Sequence, residues 1–402
     1  MYGRTGTAAD EHGFFTKQKR GEGCFVSCRI VHVSDTHLGY TEFDRVTKDG
    51  INCREADFYA SFSRIVDDIL ELKPDAVVHT GDFFHRPSPA NRPLIEGLTQ
   101  IKRITDAKIP VVVIAGNHST PRTVFTSPIL RAFRSIDHVH AVFEQRYEKV
   151  LVNDMAFHGL PHINDEDACA EEMGKISPVN GKINVALLHM SVGKNYLMDE
   201  YGERVFTVER MSFLDECDYT AIGHWHNTQM VPKLKCAWYS GSTERLSDRE
   251  AESDKGYIVA EFDGNGAASI TFHPVAVRPW RRFDIRACGE KSVEEIQREI
   301  TAAGESSTEG SLVSVYFHGI KPDQSAAISN IWITGQFPGT LAVLHRRIFQ
   351  KARQYMPVME EKGETLENIF NEYLRKNVNG DAEYEELRAQ SQKYFHRHAT
   401  GE

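Results

Sequence analysis

Arg29-Ile30-Val31-His32-Val33-Ser34-Asp35-Thr36-His37 joins a short β-branched run to an acid and a histidine two residues apart. Such a run favours a strand, and the polar cluster falls just past its carboxyl end. Downstream, Phe58, Phe62, Ile65, Val66, Ile69 and Leu70 recur at helical spacing until Pro74 ends the pattern. Ala76-Val77-Val78 is the next apolar run and closes on Gly81-Asp82. A second helix around 91–105 leads into the run 111–115, which closes on Gly116-Asn117-His118. Three strand–helix units in succession predict a parallel sheet covered by helices. Each ends in polar residues where open α/β sheets place their ligands.

Outward from this core, 139–143 reads as a strand, and 149–152 with 155–158 as a hairpin around Asn153-Asp154. The run 183–188 ends at His189, and 218–222 ends at Gly223-His224-Trp225-His226. Short runs near 237–240, 257–262 and 269–273 are expected to complete a second sheet. Composition shifts at Val277-Arg278-Pro279-Trp280-Arg281-Arg282. Beyond it, strands near 283–286 and 312–317 flank a helix carrying Val293, Ile296 and Ile300, opened by a capping-box signature from Ser292 to Glu295. This small α/β module is expected to end near Tyr355. Leu366, Ile369, Phe370, Tyr373 and Leu374 then mark a helix stopped by Asn379-Gly380, and Tyr384, Leu387, Tyr394 and Phe395 mark another. The expected layout is a polar extension over 1–27, a two-sheet body over 28–278, the small module over 279–355 and a helical tail over 356–402. In the extension, Lys17, Lys19 and Arg20 read as a solvated tail, with contact to an acidic partner as the other reading.

The 402 residues carry 47 basic against 57 acidic side chains, a net charge of −10, which excludes a mainly electrostatic nucleic-acid coat protein. It leaves room for a DNA enzyme whose positive charge is local or supplied by metal. No apolar stretch has the length of a membrane span, and the first residues lack a signal-peptide core. Seven scattered cysteines without a CxxC pair predict reduced thiols and a cytoplasmic protein.

Five polar clusters follow five predicted strands: Asp35-x-His37, Gly81-Asp82, Gly116-Asn117-His118, His189 and His224-x-His226. One Asp-x-His means little, but five in register with strand ends converge on one edge of the fold. Aspartate, asparagine and imidazole together suit manganese, iron, cobalt or zinc better than calcium or magnesium. Two such ions clamp the attacking and leaving oxygens of a phosphoryl displacement. A carboxylate has two oxygens to share, and Asp82 is the expected bridge.

The order D-x-H, GD, GNH, H, GHxH resembles the calcineurin-like metallophosphoesterase superfamily. Val31-His32-Val33-Ser34-Asp35-Thr36-His37-Leu38-Gly39-Tyr40, Gly81-Asp82-Phe83-Phe84-His85 and Ser240-Gly241-Ser242-Thr243-Glu244-Arg245 look more specifically like the SbcD-type DNA repair nucleases. That family includes the meiotic-recombination nuclease of archaea and eukaryotes. The resemblance implies an α/β two-sheet metallophosphoesterase sandwich flanked by helices, an α/β capping domain and a C-terminal helical tail. It implies two manganese ions, one on Asp35, His37 and His226, the other on Asn117, His189 and His224, with Asp82 bridging. A hydroxide between the ions would attack phosphorus. His118 would stabilise the phosphorane or protonate the leaving oxygen, and His85 would orient the scissile phosphate. The family's GNH is usually followed by aspartate, but here Ser119 stands there. A carboxylate favours imidazolium more than a hydroxyl does, so either another acid takes that role or His118 is a weaker acid.

The same resemblance implies a double-strand break repair nuclease with 3′-to-5′ exonuclease and single-strand endonuclease activity. Implied partners are DNA, a coiled-coil SMC-like ATPase of the SbcC type bound through the terminal helices, whose apolar stripe otherwise folds back on its own module, and a second copy bound through helices of the first domain. Arg278, Arg281, Arg282, Arg346, Arg347, Lys351 and Arg353 are phosphate-contact candidates, each of which reads individually as a solvated charge. Arg245 reads as a phosphate contact, a support for the site or a structural ion pair. His158, His162 and Trp225 read as structural. A phosphodiesterase acting on a small molecule or nucleotide is the alternative, since one metal centre serves many esters. A non-enzymatic docking subunit fits least, because every proposed ligand is present.

Overall fold

A computed structural model of the chain describes residues 28–121, 126–193, 205–263, 268–350, 366–378 and 384–392. The expectations placed on 1–27, Lys351, Arg353, Asn379-Gly380, Tyr394 and Phe395 lie outside them. Residues up to Phe349 form one compact unit and 350–402 a second.

β1 (Cys28–Val33) sends alternate side chains into two cores, as a strand period of two requires. Val31 and Val33 join Phe62, Ile65, Ile69, Ile101 and Ile104, whereas Ile30 joins Phe157, Val185 and Ala221. α1 (Cys53–Leu72) starts at Asn52, whose side chain accepts from the N–H groups of Arg54 and Glu55, and ends on Lys73 in the left-handed conformation. β2 (Ala76–His79), α2 (Asn91–Asp106), β3 (Val111–Ile114) and β4 (Val139–Val142) follow. β1 to β4 pair in parallel, with α1 and α2 packed on the outer face.

β5 (Glu148–Val152) and β6 (Met155–Leu160) form the expected hairpin, and α3 (Glu166–Met173), β7 (Ile183–His189), β8 (Ser191–Val192), β9 (Val205–Phe206), β10 (Tyr219–Gly223), β11 (Gln229–Met230) and β12 (Ala237–Tyr239) follow. The second sheet has the order β11-β12-β10-β7-β6-β5, while β8 and β9 pair with each other. Apolar residues of both sheets meet in one inner core. The fold is therefore the two-sheet metallophosphoesterase-type α/β sandwich expected from the sequence.

One assignment changes. The runs at 257–262 and 269–273 were expected in the second sheet, yet β13 (Gly256–Phe262) and β14 (Ala268–Pro274) extend the first, in the order β14-β13-β1-β2-β3-β4. β13 pairs antiparallel with β1, Ile30 opposite Ala260. The edge of β1 not used by β2 needs hydrogen-bond partners. β13 supplies them while placing Tyr257 and Val259 in the outer core and Ile258, Ala260 and Phe262 in the inner one.

β15 (Trp280–Ile285), α4 (Val293–Glu305), β16 (Leu312–Ile320), α5 (Pro322–Ala327), α6 (Asn330–Gly335) and β17 (Ala342–Phe349) make a three-stranded parallel sheet with its own core of Ile296, Ile300, Val313, Val315, Phe317 and Ile333. The Ser292–Glu295 capping box is formed. This sheet rests on the sandwich: Trp280 and Leu312 pack with Ala251, and the Arg278 guanidinium donates to both Asp57 oxygens at 2.6 Å.

In the second unit, α7 (Leu366–Asn377) buries Leu374 and exposes Phe370 and Tyr373. Arg375 donates to the Tyr384 hydroxyl of a helix over 384–392 at 3.0 Å. Among the described residues, no helix is long and apolar enough to cross a membrane, and Cys28, Cys53, Cys169, Cys217, Cys236 and Cys288 are free thiols.

Candidate metal centre

Four residues in the turns after β1, β2 and β10 have left-handed backbones: Asp35 (φ 50°), His37 (φ 41°), Asp82 (φ 50°) and His224 (φ 98°). Each such residue costs on the order of 1–3 kcal/mol and persists only where its surroundings over-determine it. Here the turns hold one another. The N–H of Asp35 donates to Gly81 O at 3.1 Å and that of His37 to Asp82 O at 2.9 Å. The N–H of His224 donates to Asp35 Oδ2 at 2.9 Å, and that of His118 to Asp82 Oδ1 at 2.8 Å. Gly81 is needed twice over: its φ is 106°, and a side chain there would run into the His189 ring.

The seven residues expected to hold metal come together at the ends of β1, β2, β3, β7 and β10. Asp35, His37 and His226 each bring a donor atom within 4.8 Å of the others, and so do Asp82, His189 and His224. Asn117 Oδ1 lies 2.9 Å from His189 Nε2 and 3.2 Å from His224 Nδ1. Asp82 Oδ2 lies 3.9 Å from His37 Nε2 and 3.3 Å from His189 Nε2, between the two groups.

Two buried atoms test whether a metal fits. Asp35 Oδ1 and His37 Nε2 make no hydrogen bond among the described residues, although they sit 3.9 Å apart. An unsatisfied buried polar group costs roughly 1–3 kcal/mol, and a cation between them meets both. On the other side, His189 Nδ1 donates to Thr80 O at 2.7 Å, which turns its Nε2 lone pair toward Asn117 and Asp82. Mixed carboxylate, amide and imidazole donors fit divalent transition ions. Burial opposes charge on both Asp82 and His189, yet their mutual attraction wins: the Asp82 carboxyl is held well below the usual range and His189 is raised to about 9. Burial dominates elsewhere, pushing His37 well below its ordinary value and the Asp35 carboxyl up. Holding a metal through His189 Nε2 would require the proton there to be released.

His118 and His85 stand beside this cluster. His118 Nδ1 donates to the His85 carbonyl at 2.8 Å, which leaves Nε2 free for chemistry. Its ring stacks on His85 at 5.1 Å and meets His37 edge-on at 4.9 Å. Burial and the neighbouring His118 lower His85 to about 4, so its ring is neutral at pH 7. Ser119 does not orient His118; its hydroxyl is buried and has no partner among the described residues. The orienting acceptor is a backbone carbonyl, weaker than a carboxylate at favouring imidazolium.

Several side chains take plain structural roles. His158 lies between the Tyr147 hydroxyl and Asn184 Oδ1. At His162, by contrast, it is the backbone N–H that donates, to Ala115 O. Trp225 Nε1 donates to Ser191 Oγ at 2.9 Å. The Arg245 guanidinium donates to the backbone carbonyls of Glu250, Arg278 and Ser253, bracing the chain around Glu250. Arg278, Arg282, Arg346 and Arg347 are engaged by Asp57, Asp284, Asp248 and Asn330 respectively, whereas Arg281 is exposed. Sequence reading missed Glu250, whose carboxylate meets His226 Nδ1 at 3.1 Å, and Lys255 behind it. Glu250 stands 24 residues beyond His226, among several other acids, so no local signal in the sequence singles it out.

A sandwich of two sheets with aspartates, an asparagine and histidines converging at its strand ends defines a metallophosphoesterase. The calcineurin-like phosphoesterase model matches residues 28–228, half of the chain, and the chain belongs to that family. Its relatives are narrower in kind. It is 29% identical over 252 residues to the DNA double-strand break repair protein Mre11 of Sulfurisphaera tokodaii, covering 61% of this chain and 59% of the relative. Identity is 25% over 284 residues to the protein of the same name from Sulfolobus acidocaldarius, covering 68% of this chain and 70% of that one. With that of Methanococcus maripaludis it is 28% over 252 residues, 59% of this chain and 64% of the relative. The match thus spans about three fifths of the first relative's length. These similarities bear out the resemblance to SbcD-type nucleases read from the motifs.

Proposed function

We propose that the chain is a metal-dependent DNA phosphodiesterase of double-strand break repair, with 3′-to-5′ exonuclease and single-strand endonuclease activity. The observation that carries the reading is the pair of donor groups that meet at Asp82, one of which contains two buried atoms without a partner among the described residues, Asp35 Oδ1 and His37 Nε2. Asp35, His37 and His226 would hold one ion and Asn117, His189 and His224 the other, with Asp82 shared between them; manganese is the expected metal. Such ions supply an acidified water and neutralise phosphate charge. His118 Nε2 points away from the carbonyl that holds its ring and delivers a proton to the leaving oxygen. The neutral His85 ring, stacked on His118, orients the phosphate as a hydrogen-bond partner.

The relatives' names support DNA as substrate. The 279–355 module is proposed to cap the centre, the helical tail beyond it to bind a coiled-coil ATPase of the SbcC type, and helices of the first domain to pair two copies.

The test sets a 3′-labelled duplex beside a small chromogenic phosphodiester, each with manganese. Manganese-dependent nucleotide release that is lost in Asp82→Ala supports the reading. Rapid cleavage of the small ester with DNA untouched replaces it with a small-molecule phosphodiesterase.

A further inference from the structure

We infer that Glu250 is the positioning residue of His226, and that the loop carrying it ties the seat of the 280–349 sheet to one of the two ions. This rests on the two-ion reading above. Glu250 is 6% exposed, and its carboxylate accepts from four donors: His226 Nδ1 at 3.1 Å, Ser247 Oγ at 3.2 Å, the Leu246 N–H at 3.3 Å and Lys255 Nζ at 2.5 Å. Lys255, 1% exposed, also donates to the backbone carbonyl of His226 at 2.7 Å. One buried ion pair therefore grips both the ring and the backbone of a single histidine. With Nδ1–H committed to the carboxylate, Nε2 keeps its lone pair for a metal. A buried ion pair is a poor way to gain stability, since apolar residues of like volume serve as well or better. Its placement is explained by the histidine it orients.

The same loop is where the small sheet sits. Two residues before Glu250, Asp248 meets Arg346 Nε of β17 at 3.3 Å. One residue after it, Ala251 packs with Trp280 and Leu312. Arg245 bonds the carbonyls of both Glu250 and Arg278, closing the loop onto the chain that enters β15. His189, on the other side of Asp82, takes its orientation from Thr80 O within the sandwich. The small sheet thus bears on the Asp35–His37–His226 ion and leaves the other alone.

Manganese titration of the full chain by calorimetry and electron paramagnetic resonance tests this. In Glu250→Gln/Lys255→Met, which removes both charges together, one ion should weaken about 10–100-fold with the other unchanged. Asp248→Asn should weaken the same ion by less. Should the double variant not fold, Glu250→Asp keeps the charge pair, moves the carboxylate, and should weaken that ion too. Two ions bound at wild-type affinity in folded Glu250 variants overturn the assignment, and an unchanged Asp248→Asn overturns the tie to the small sheet. Wild-type protein that takes up no manganese sinks the metal centre itself, a result distinct from either.

Discussion

The strand ends of the sandwich and the sheet over 280–349 handle polar groups in opposite ways. At the strand ends, Asp35, His37, Asp82 and His224 hold left-handed backbones, and Asp35 Oδ1 and His37 Nε2 are buried without partners. In the small sheet, buried Gln324 donates to the carbonyls of Cys288 and Lys291, Trp280 Nε1 donates to Ser314 Oγ, and Ser292 closes a capping box. Among its described residues only Ala287 is a non-glycine with positive φ, and only Arg347 Nε is a buried side-chain atom without a partner. Local consistency gives way where a site is kept ready for a ligand, and the rest of the fold carries the cost.

That contrast breaks most visibly at His118. His118→Ala should lose about 10²–10⁴ in kcat on DNA, the usual contribution of a general acid, with manganese uptake unchanged in a titration. Loss of ion binding would make His118 a ligand instead. In the small sheet the largest effect should be on stability. Ile300 is fully buried in that core, and Ile300→Ala should cost about 2–5 kcal/mol, read by chemical denaturation, while two manganese ions still bind. Loss of both ions would mean the two regions are one energetic unit.

A smaller effect separates the regions by pH. Arg282 beside Asp284, helped by His318, holds that carboxyl below its ordinary value. A depressed folded value contributes stability above the ordinary 3.8, lost as pH falls through the lower folded value. Asp284→Asn should therefore flatten the acid limb of the small sheet's denaturation profile and leave neutral-pH cleavage unchanged. The smallest effect belongs to Ser119. Its hydroxyl is buried and bonds nothing among the described residues, so Ser119→Ala should keep or slightly raise stability, since an unsatisfied buried polar group is a cost, and leave kcat unchanged. A large drop in kcat would restore Ser119 to the orienting role its position suggests.

The cluster was readable because each proposed ligand stands at or just after a strand end, so local sequence order maps onto one edge of the fold. Pairings between distant segments leave no such trace. β13 joins β1 through Cys28 opposite Phe262, and nothing near either residue tells which sheet will receive it. Orientation by backbone is silent as well, since the His85 carbonyl that holds His118 and the Thr80 carbonyl that holds His189 belong to no side chain. Glu250 reaches His226 across 24 residues of chain, and its role emerges only once the loop has folded over the ring.

Anomalous diffraction from manganese-soaked crystals tests the central claim most directly. Two peaks about 3.5–4 Å apart are predicted, one bonded to Asp35, His37 and His226, the other to Asn117, His189 and His224, with Asp82 touching both. A single peak, or none at Asp82, would contradict it.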